Sequence, residues 1–248
     1  MLTNIQPKIW FGDVCRKNDF PVTDEQLDQI ERYVGLLLDW NAKINLVSRK
    51  DEENIWQNHI LHCASLFFKL DFLEHSKVVD IGTGGGLPGI ILKILQPDLQ
   101  LTLIDATQKK VNAVQEILNS LSLTDTSTQW GRAEELSKKH ENKGQFDVAI
   151  ARAVAPLADL VKWSRPFLKT SSCGLATKPG KRVMVTPPAL VAMKGGALEQ
   201  EISNIRSDKK INGVEVVDLI FSESEQRIPN DKKVVLVYFK NKLTDFPV

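Results

Sequence analysis

Val78-Val79-Asp80-Ile81-Gly82-Thr83-Gly84-Gly85-Gly86-Leu87-Pro88-Gly89 sets one carboxylate ahead of five glycines. Residue types in that order build a ligand cradle. Glycine admits positive φ and lets a ligand approach main-chain N–H groups that a Cβ would shield. The apolar run 90–95 follows and stops before Pro97. That spacing predicts a helix of about two turns whose positive end faces the ligand. A second apolar stretch, Leu101-Thr102-Leu103-Ile104, ends in Asp105, a carboxylate suited to accept hydrogen bonds from ribose hydroxyls.

Two ligands fit the pattern. Gly84-x-Gly86-x-x-Gly89 matches a dinucleotide fingerprint, and Asp80-x-Gly82-x-Gly84-x-Gly86 matches the cradle for S-adenosylmethionine (SAM). A carboxylate at Asp80 suits an ammonium group, such as that at the methionine end of SAM, and repels a pyrophosphate. Both ligands contain a ribose, so Asp105 supports either. A glycine-rich turn without a ligand is the third reading of the same residues.

The elements that must position these groups are legible in the periodicity. From Lys77 onward strand and helix signals alternate, as in a parallel sheet covered on both faces. Strands are expected at 78–81, 101–104, 127–130, 146–151 and 189–193, with helices at 109–121, 156–168 and 198–205. The fourth strand delivers Arg152 to the carboxyl edge, where ligands of such sheets bind. Two last strands, 214–221 and 233–239, are close enough in sequence to pair antiparallel about Arg227–Asp231. Before the sheet lies an all-helical stretch. Thr23-Asp24-Glu25-Gln26 reads as a capping box, Ser48-Arg49-Lys50-Asp51 opens a further helix that carries apolar positions through Leu70, and Ile9, Trp10, Phe11 and Val14 pack nearby. The expected organisation is a helical cap, 1–74, on a sheet domain, 75–248, in one compact unit.

Composition sets the outer bounds. A chain of 248 residues supports one α/β domain with a modest extension. No apolar run approaches membrane-spanning length and the first residues lack a signal-peptide layout, so a cytoplasmic protein is expected. Cys15, Cys63 and Cys173 are odd in number and widely spaced, which speaks against a disulfide framework and a zinc site. His59, His62 and Cys63 share one helical face, yet no further ligand is evident, so helix packing or hydrogen bonding is expected for the histidines and no metal is expected. Net charge is only +1, but residues 160–198 hold no acid and seven cations: Lys162, Arg165, Lys169, Lys178, Lys181, Arg182 and Lys194. Such asymmetry predicts a basic face for phosphate. The stretch 169–188, rich in serine, glycine and proline, reads as a long basic loop.

Further motifs extend the pattern over most of the chain: Trp40-Asn41-x-x-x-Asn45-Leu46, His59-Ile60-Leu61, Leu87-Pro88-Gly89-Ile90, Gly131-Arg132-Ala133-Glu134-Glu135, Ala151-Arg152-Ala153 and Met193-Lys194-Gly195. In this order they resemble the bacterial glucose-inhibited division protein B family, SAM-dependent methyltransferases that modify guanine N7 in small-subunit (16S) ribosomal RNA. The resemblance implies a class I, Rossmann-like α/β fold: a mostly parallel seven-stranded sheet with an antiparallel C-terminal strand and an N-terminal helical extension. SAM is the implied cofactor. The implied partner is small-subunit ribosomal RNA or the 30S particle, met by a single chain, with no membrane and no metal.

By the same resemblance Gly82 and Leu87 lie along SAM, with Gly84 and Gly86 in the same cradle. Ala133 and Glu134 bracket the adenine, and Arg152 reaches the cofactor and the reacting base as the catalytic residue. Asp80 and Asp105 join the cofactor set on the charge arguments above. Candidate RNA contacts are Lys109, Lys110, Arg132, Lys194 and Lys232 near the carboxyl edge, with Lys178, Lys181 and Arg182 in the long loop. Two departures stand out. The family's His-Ile-Leu-Asp-Ser is His59-Ile60-Leu61-His62-Cys63 here, and the 169–188 loop is longer than the usual turn.

Guanine N7 is an unprotonated lone pair at neutral pH, so its methylation needs positioning and charge placement rather than a general base. The lack of an obvious base or nucleophile constellation agrees. Two competing functions share some of these residues: a dinucleotide-dependent oxidoreductase, and a non-catalytic RNA-binding or ribosome-assembly protein on a methyltransferase fold.

Overall fold

The computed structural model describes residues 6–170, 181–221 and 231–240. The chain opens with α1 (Pro7–Lys17) and α2 (Asp24–Asn41). The capping box at the start of α2 is present: Thr23 Oγ1 accepts the Gln26 N–H at 3.2 Å, and Gln26 Oε1 accepts the Thr23 N–H at 3.0 Å. Ile30, Tyr33, Val34 and Leu37 recur at helical spacing and are buried, which turns this face of α2 onto the core.

The second helix expected in this region is broken into pieces. Ser48 makes no side-chain cap; a 3-10 turn (Arg49–Asn54) is followed by a π-helix (Trp56–Leu61), then α3 (His62–Ala64) and α4 (Leu66–Lys69). The wide i→i+5 turn changes the pitch where His59 must reach across to Arg152, as π turns commonly do at functional positions. Leu70, expected on the helix, instead begins β1 (Leu70–Phe72).

The sheet unit then runs β2 (Lys77–Ile81), α5 (Gly89–Leu95), β3 (Gln100–Asp105), α6 (Gln108–Ser120), β4 (Thr126–Trp130) and α7 (Ala133–Leu136). It continues through β5 (Val148–Arg152), α8 (Leu157–Phe167), β6 (Val183–Val185), β7 (Ala189–Gly195), α9 (Glu199–Arg206), β8 (Ile211–Asp218) and β9 (Lys232–Phe239). Seven strands form one sheet in the order β4-β3-β2-β5-β7-β9-β8, and β9 runs antiparallel to both its neighbours. The expected class I arrangement is therefore present. β2, β5 and β7 are almost wholly apolar because helices cover both their faces, whereas the edge strand β4 is Thr-Ser-Thr-Gln-Trp with no buried residue.

Alternation divides the core. Val78, Val148, Ile150 and Val191 join the cap, α5 and α6 on one face; Val79, Ile81, Ala149 and Ala151 join α8 and α9 on the other. Phe11, Ile30 and Leu37 of the cap thus belong to the same cluster as the sheet. Part of the stretch expected to be loop is strand: β6 pairs in parallel with β1, Leu70 opposite Val183 and Phe72 opposite Val185. Residues 171–180 of that stretch lie outside the described residues, as do 222–230 of the turn expected near Arg227.

Polar ties reinforce the shared core. Gln26 Nε2 donates to the carbonyls of Ile94 and Leu95 at the end of α5, and the buried Tyr33 hydroxyl donates to the Gly85 carbonyl at 2.9 Å. Tyr33→Phe leaves that carbonyl without its partner, and the expected loss is about 1–2 kcal/mol of unfolding free energy. Urea denaturation checks it: the midpoint falls with the slope unchanged, and an unmoved midpoint refutes the role.

Candidate active site

The glycine loop is built around a buried carboxylate. Asp80 is 0% exposed at the fourth position of β2, and its Oδ2 accepts the Thr83 hydroxyl at 2.7 Å and the Gly89 N–H at 3.0 Å. Gly89 must be glycine for that second bond, since a Cβ there would lie 2.8 Å from Asp80 Oδ2. The helix end expected to face a ligand is therefore held by the protein's own anion. Gly82, Gly84 and Gly86 take φ of +69°, +59° and +98°, as a turn this tight requires.

The loop's N–H groups are mostly spent inside the protein. Those of Gly82 and Thr83 donate to the Ile104 carbonyl, those of Gly86 and Leu87 to the Thr83 carbonyl, and that of Gly84 to Asp105 Oδ2 at 3.1 Å. Asp105 also accepts the Thr107 N–H through Oδ1, so it joins the ends of β2 and β3. A pyrophosphate needs free N–H groups and no buried anion beneath them; this loop offers the reverse. Asp80 Oδ1 is buried with no hydrogen-bond partner among the described residues, which fits a cofactor carrying a cationic group. Leu87 sits in the core cluster, so its side chain is packing. Ala133 is buried at the start of α7, and Glu134 beside it is half-buried.

Arg152 ends β5, between β2 and β7 in the sheet, and lines a cavity of about 410 Å³. The walls come from Ala153, Met193, Lys194 and Lys232 on the sheet side and from Asp51, Asn58, His59 and His62 of the cap. Arg152 Nη2 lies 3.0 Å from His59 Nδ1. A guanidinium only donates, so Nδ1 is an acceptor and the ring proton sits on Nε2, 3.5 Å from Asp51 Oδ2. Burial and the neighbouring Arg152 lower the His59 pKa to about 4, and burial with the same cation lowers His62 to about 3. Both rings are neutral at pH 7. Packing and hydrogen bonding are what the sequence suggests for these histidines; their place in the wall of a cavity became visible only in the fold. Asn58 and Tyr33 carry no motif, and Asp51, read only as part of a helix start, was likewise not legible as a cavity residue.

The RNA candidates separate. Lys109, Lys110 and Arg132 stand at the carboxyl edge, on α6 and before α7, and Lys232 lines the cavity. Lys194 also lines it but is tied to Glu201 Oε2 at 2.7 Å and the Ala155 carbonyl at 2.9 Å. Lys181 pairs with Asp19 and Arg182 with Asp71, next to β1 and β6 and hence before the amino ends of the sheet. Lys178 lies outside the described residues. The acid-poor run is not one basic face, because acids distant in sequence meet its cations, Asp147 on Lys169 among them. Among the described residues no group of three or more metal-ligating side chains occurs, and no helix is long and apolar enough to cross a membrane.

This sheet order, with a carboxylate-backed glycine loop and an acid ending the next strand, defines a class I SAM-dependent methyltransferase. A crystal structure of a predicted O-methyltransferase, protein Atu636 from Agrobacterium tumefaciens, shares the fold at TM-score 0.51 and 11% identity, covering 74% of this chain and 82% of that one. Residues 26–184 match the family model for rRNA small subunit methyltransferase G. The chain is 35% identical over 207 residues to the ribosomal RNA small subunit methyltransferase G of Moorella thermoacetica, covering 83% of this chain and 85% of the relative. It is 39% identical over 183 residues to that of Bacteroides thetaiotaomicron, covering 73% and 81%. The chain belongs to the rRNA small subunit methyltransferase G family.

Burial raises the Asp80 pKa to about 6, against the opposing hydrogen bonds from Thr83 and Gly89. The folded carboxyl holds its proton more tightly than the unfolded chain does, so its contribution to stability is full below about 4 and is lost as pH rises through about 6. A cationic ligand favours the ionised form, so SAM affinity is expected to rise from pH 5 to pH 7. Asp80→Asn should flatten that profile and weaken binding. Isothermal titration across the range checks it, and a pH-independent affinity in the unaltered protein refutes it.

Proposed function

We propose that this protein transfers a methyl group from SAM to N7 of a guanine in small-subunit (16S) ribosomal RNA, acting as a single chain in the cytoplasm on RNA or on the 30S particle. The observation that carries the reading is the junction at Arg152. One side chain closes the strand beside the glycine loop and lines a cavity large enough for a purine. The names of the relatives supply the ribosomal RNA.

When bound, SAM supplies an electrophilic methyl on a sulfonium. The rest of the chemistry is placement. Asp80 and Asp105 brace the loop and give the cofactor side its negative charge, and Ala133 and Glu134 border the adenine side. On the acceptor side Arg152 donates to the base or its phosphate, a geometry held by His59 and, behind it, Asp51. The sulfonium's charge passes to the purine, so net charge is kept at the reacting centre, and a cation there serves to orient the acceptor. With pKa values lowered to about 4 and about 3, His59 and His62 are weak bases, in keeping with a reaction that removes no proton from N7. Lys109, Lys110, Arg132 and Lys232 take the phosphates around the entrance.

Arg152→Ala is expected to leave SAM affinity within a few fold while lowering methylation by about 100-fold, the scale of a lost charge-placing donor. Tritiated SAM with 16S RNA or 30S particles as acceptor measures turnover. Chemical cleavage at N7-methylguanine identifies the atom. Unchanged turnover refutes the assignment of Arg152, and label absent from RNA refutes the function.

A further inference from the structure

Trp130 ends the edge strand β4 with 57% of its surface exposed, and it is the aromatic member of the large exposed hydrophobics, beside Ile9, Val154, Val216 and Ile220. Its position is fixed. The residue lies opposite Asp105 in the β3–β4 register, and the indole Nε1–H donates to the Ala106 carbonyl at 3.1 Å. With the polar handle used, what faces outward is ring surface, whose burial is worth more than that of most side chains.

The surroundings are basic. α6 begins two residues past Ala106 and sets Lys109 and Lys110 in its first turn; neither makes an ion pair among the described residues. Arg132 follows Trp130 by two residues, its side chain 68% exposed and only loosely paired, 4.0 Å from Glu134. Asp105, the nearest strand-end acid, has both oxygens committed to backbone N–H groups.

We propose that Trp130 is a stacking platform for an unpaired RNA base, with Lys109, Lys110 and Arg132 taking the adjoining phosphates. A fixed aromatic face bordered by cations is what single-stranded nucleic acid recognition requires, since every base has a π-face and every nucleotide a charge. An apolar protein partner would gain nothing from three cations. The stacked base is not the one methylated: β4 and β5 are three strand spacings apart, about 14 Å. The platform therefore grips a neighbouring nucleotide and sets the register of the strand entering the cavity. This rests on the proposed RNA function and adds a second point of attachment to it.

The test uses the full chain, a labelled single-stranded RNA spanning the methylated region, and SAM. Trp130→Ala should weaken RNA binding about 5- to 150-fold by anisotropy, and Trp130→Phe should keep most of it. SAM affinity by titration should be unchanged, as should the unfolding temperature, and the methylation defect should appear in KM for RNA rather than kcat. Lys109→Ala with Lys110→Ala should flatten the salt dependence by about two phosphate contacts. Unchanged RNA affinity in Trp130→Ala overturns the proposal, as does weaker SAM binding with RNA binding intact, which would make the indole a cover for the adenine. If the unaltered protein binds RNA without methylating it, the function falls while the platform still stands or falls on the anisotropy. If it binds no RNA, both are overturned.

Discussion

The Asp80 carboxylate is the constraint on which the site depends. It lies beneath the glycine loop with no exposed surface, and through one oxygen it holds both the Thr83 hydroxyl inside the loop and the first N–H of α5. A buried anion is costly unless its bonds are satisfied. Here the satisfying groups are those that must be fixed for the loop to take its shape, and the oxygen left over is buried with no hydrogen-bond partner among the described residues. The same carboxylate explains the glycine at position 89, which no ligand need touch.

The helical cap completes the site instead of merely preceding it. Tyr33 bonds Gly85, and Asn41 Oδ1 accepts the N–H groups of Leu46 and Val47, which fixes the segment that lies on the loop. His59 reaches Arg152 across the cavity. The Tyr33–Gly85 and His59–Arg152 contacts join residues tens of positions apart, and the two regions share one core. Removal of the cap would expose that core as well as open the cavity.

Charge is arranged by the fold as well. The seven cations of 160–198 look like a basic face along the chain, yet Asp147, Asp71, Asp19 and Glu201 arrive from other elements and meet Lys169, Arg182, Lys181 and Lys194. The cations proposed for RNA, Lys109, Lys110, Arg132 and Lys232, stand elsewhere, around the carboxyl ends of β4 and β7. Surface pairs of this kind add little stability. Their effect here is to neutralise part of the run of cations.

Periodicity and local chemistry in the sequence determined the strand and helix order of the sheet unit, the capping box at Thr23, the glycine loop between its two acids and the arrival of Arg152 at the carboxyl edge. These are readable because they depend on neighbours within a few residues: an apolar run buried on both faces, a glycine where φ is positive, a carboxylate at a strand end. Tertiary structure alone decided which groups face one another. It broke the second cap helix into 3-10 and π turns, paired β6 with β1, spent the loop's N–H groups on Ile104 and Thr83, gathered His59, His62 and Asp51 about Arg152, and left Trp130 outside. Such pairings follow from how two surfaces pack across the core, and no spacing along one segment records which distant segment will be its partner.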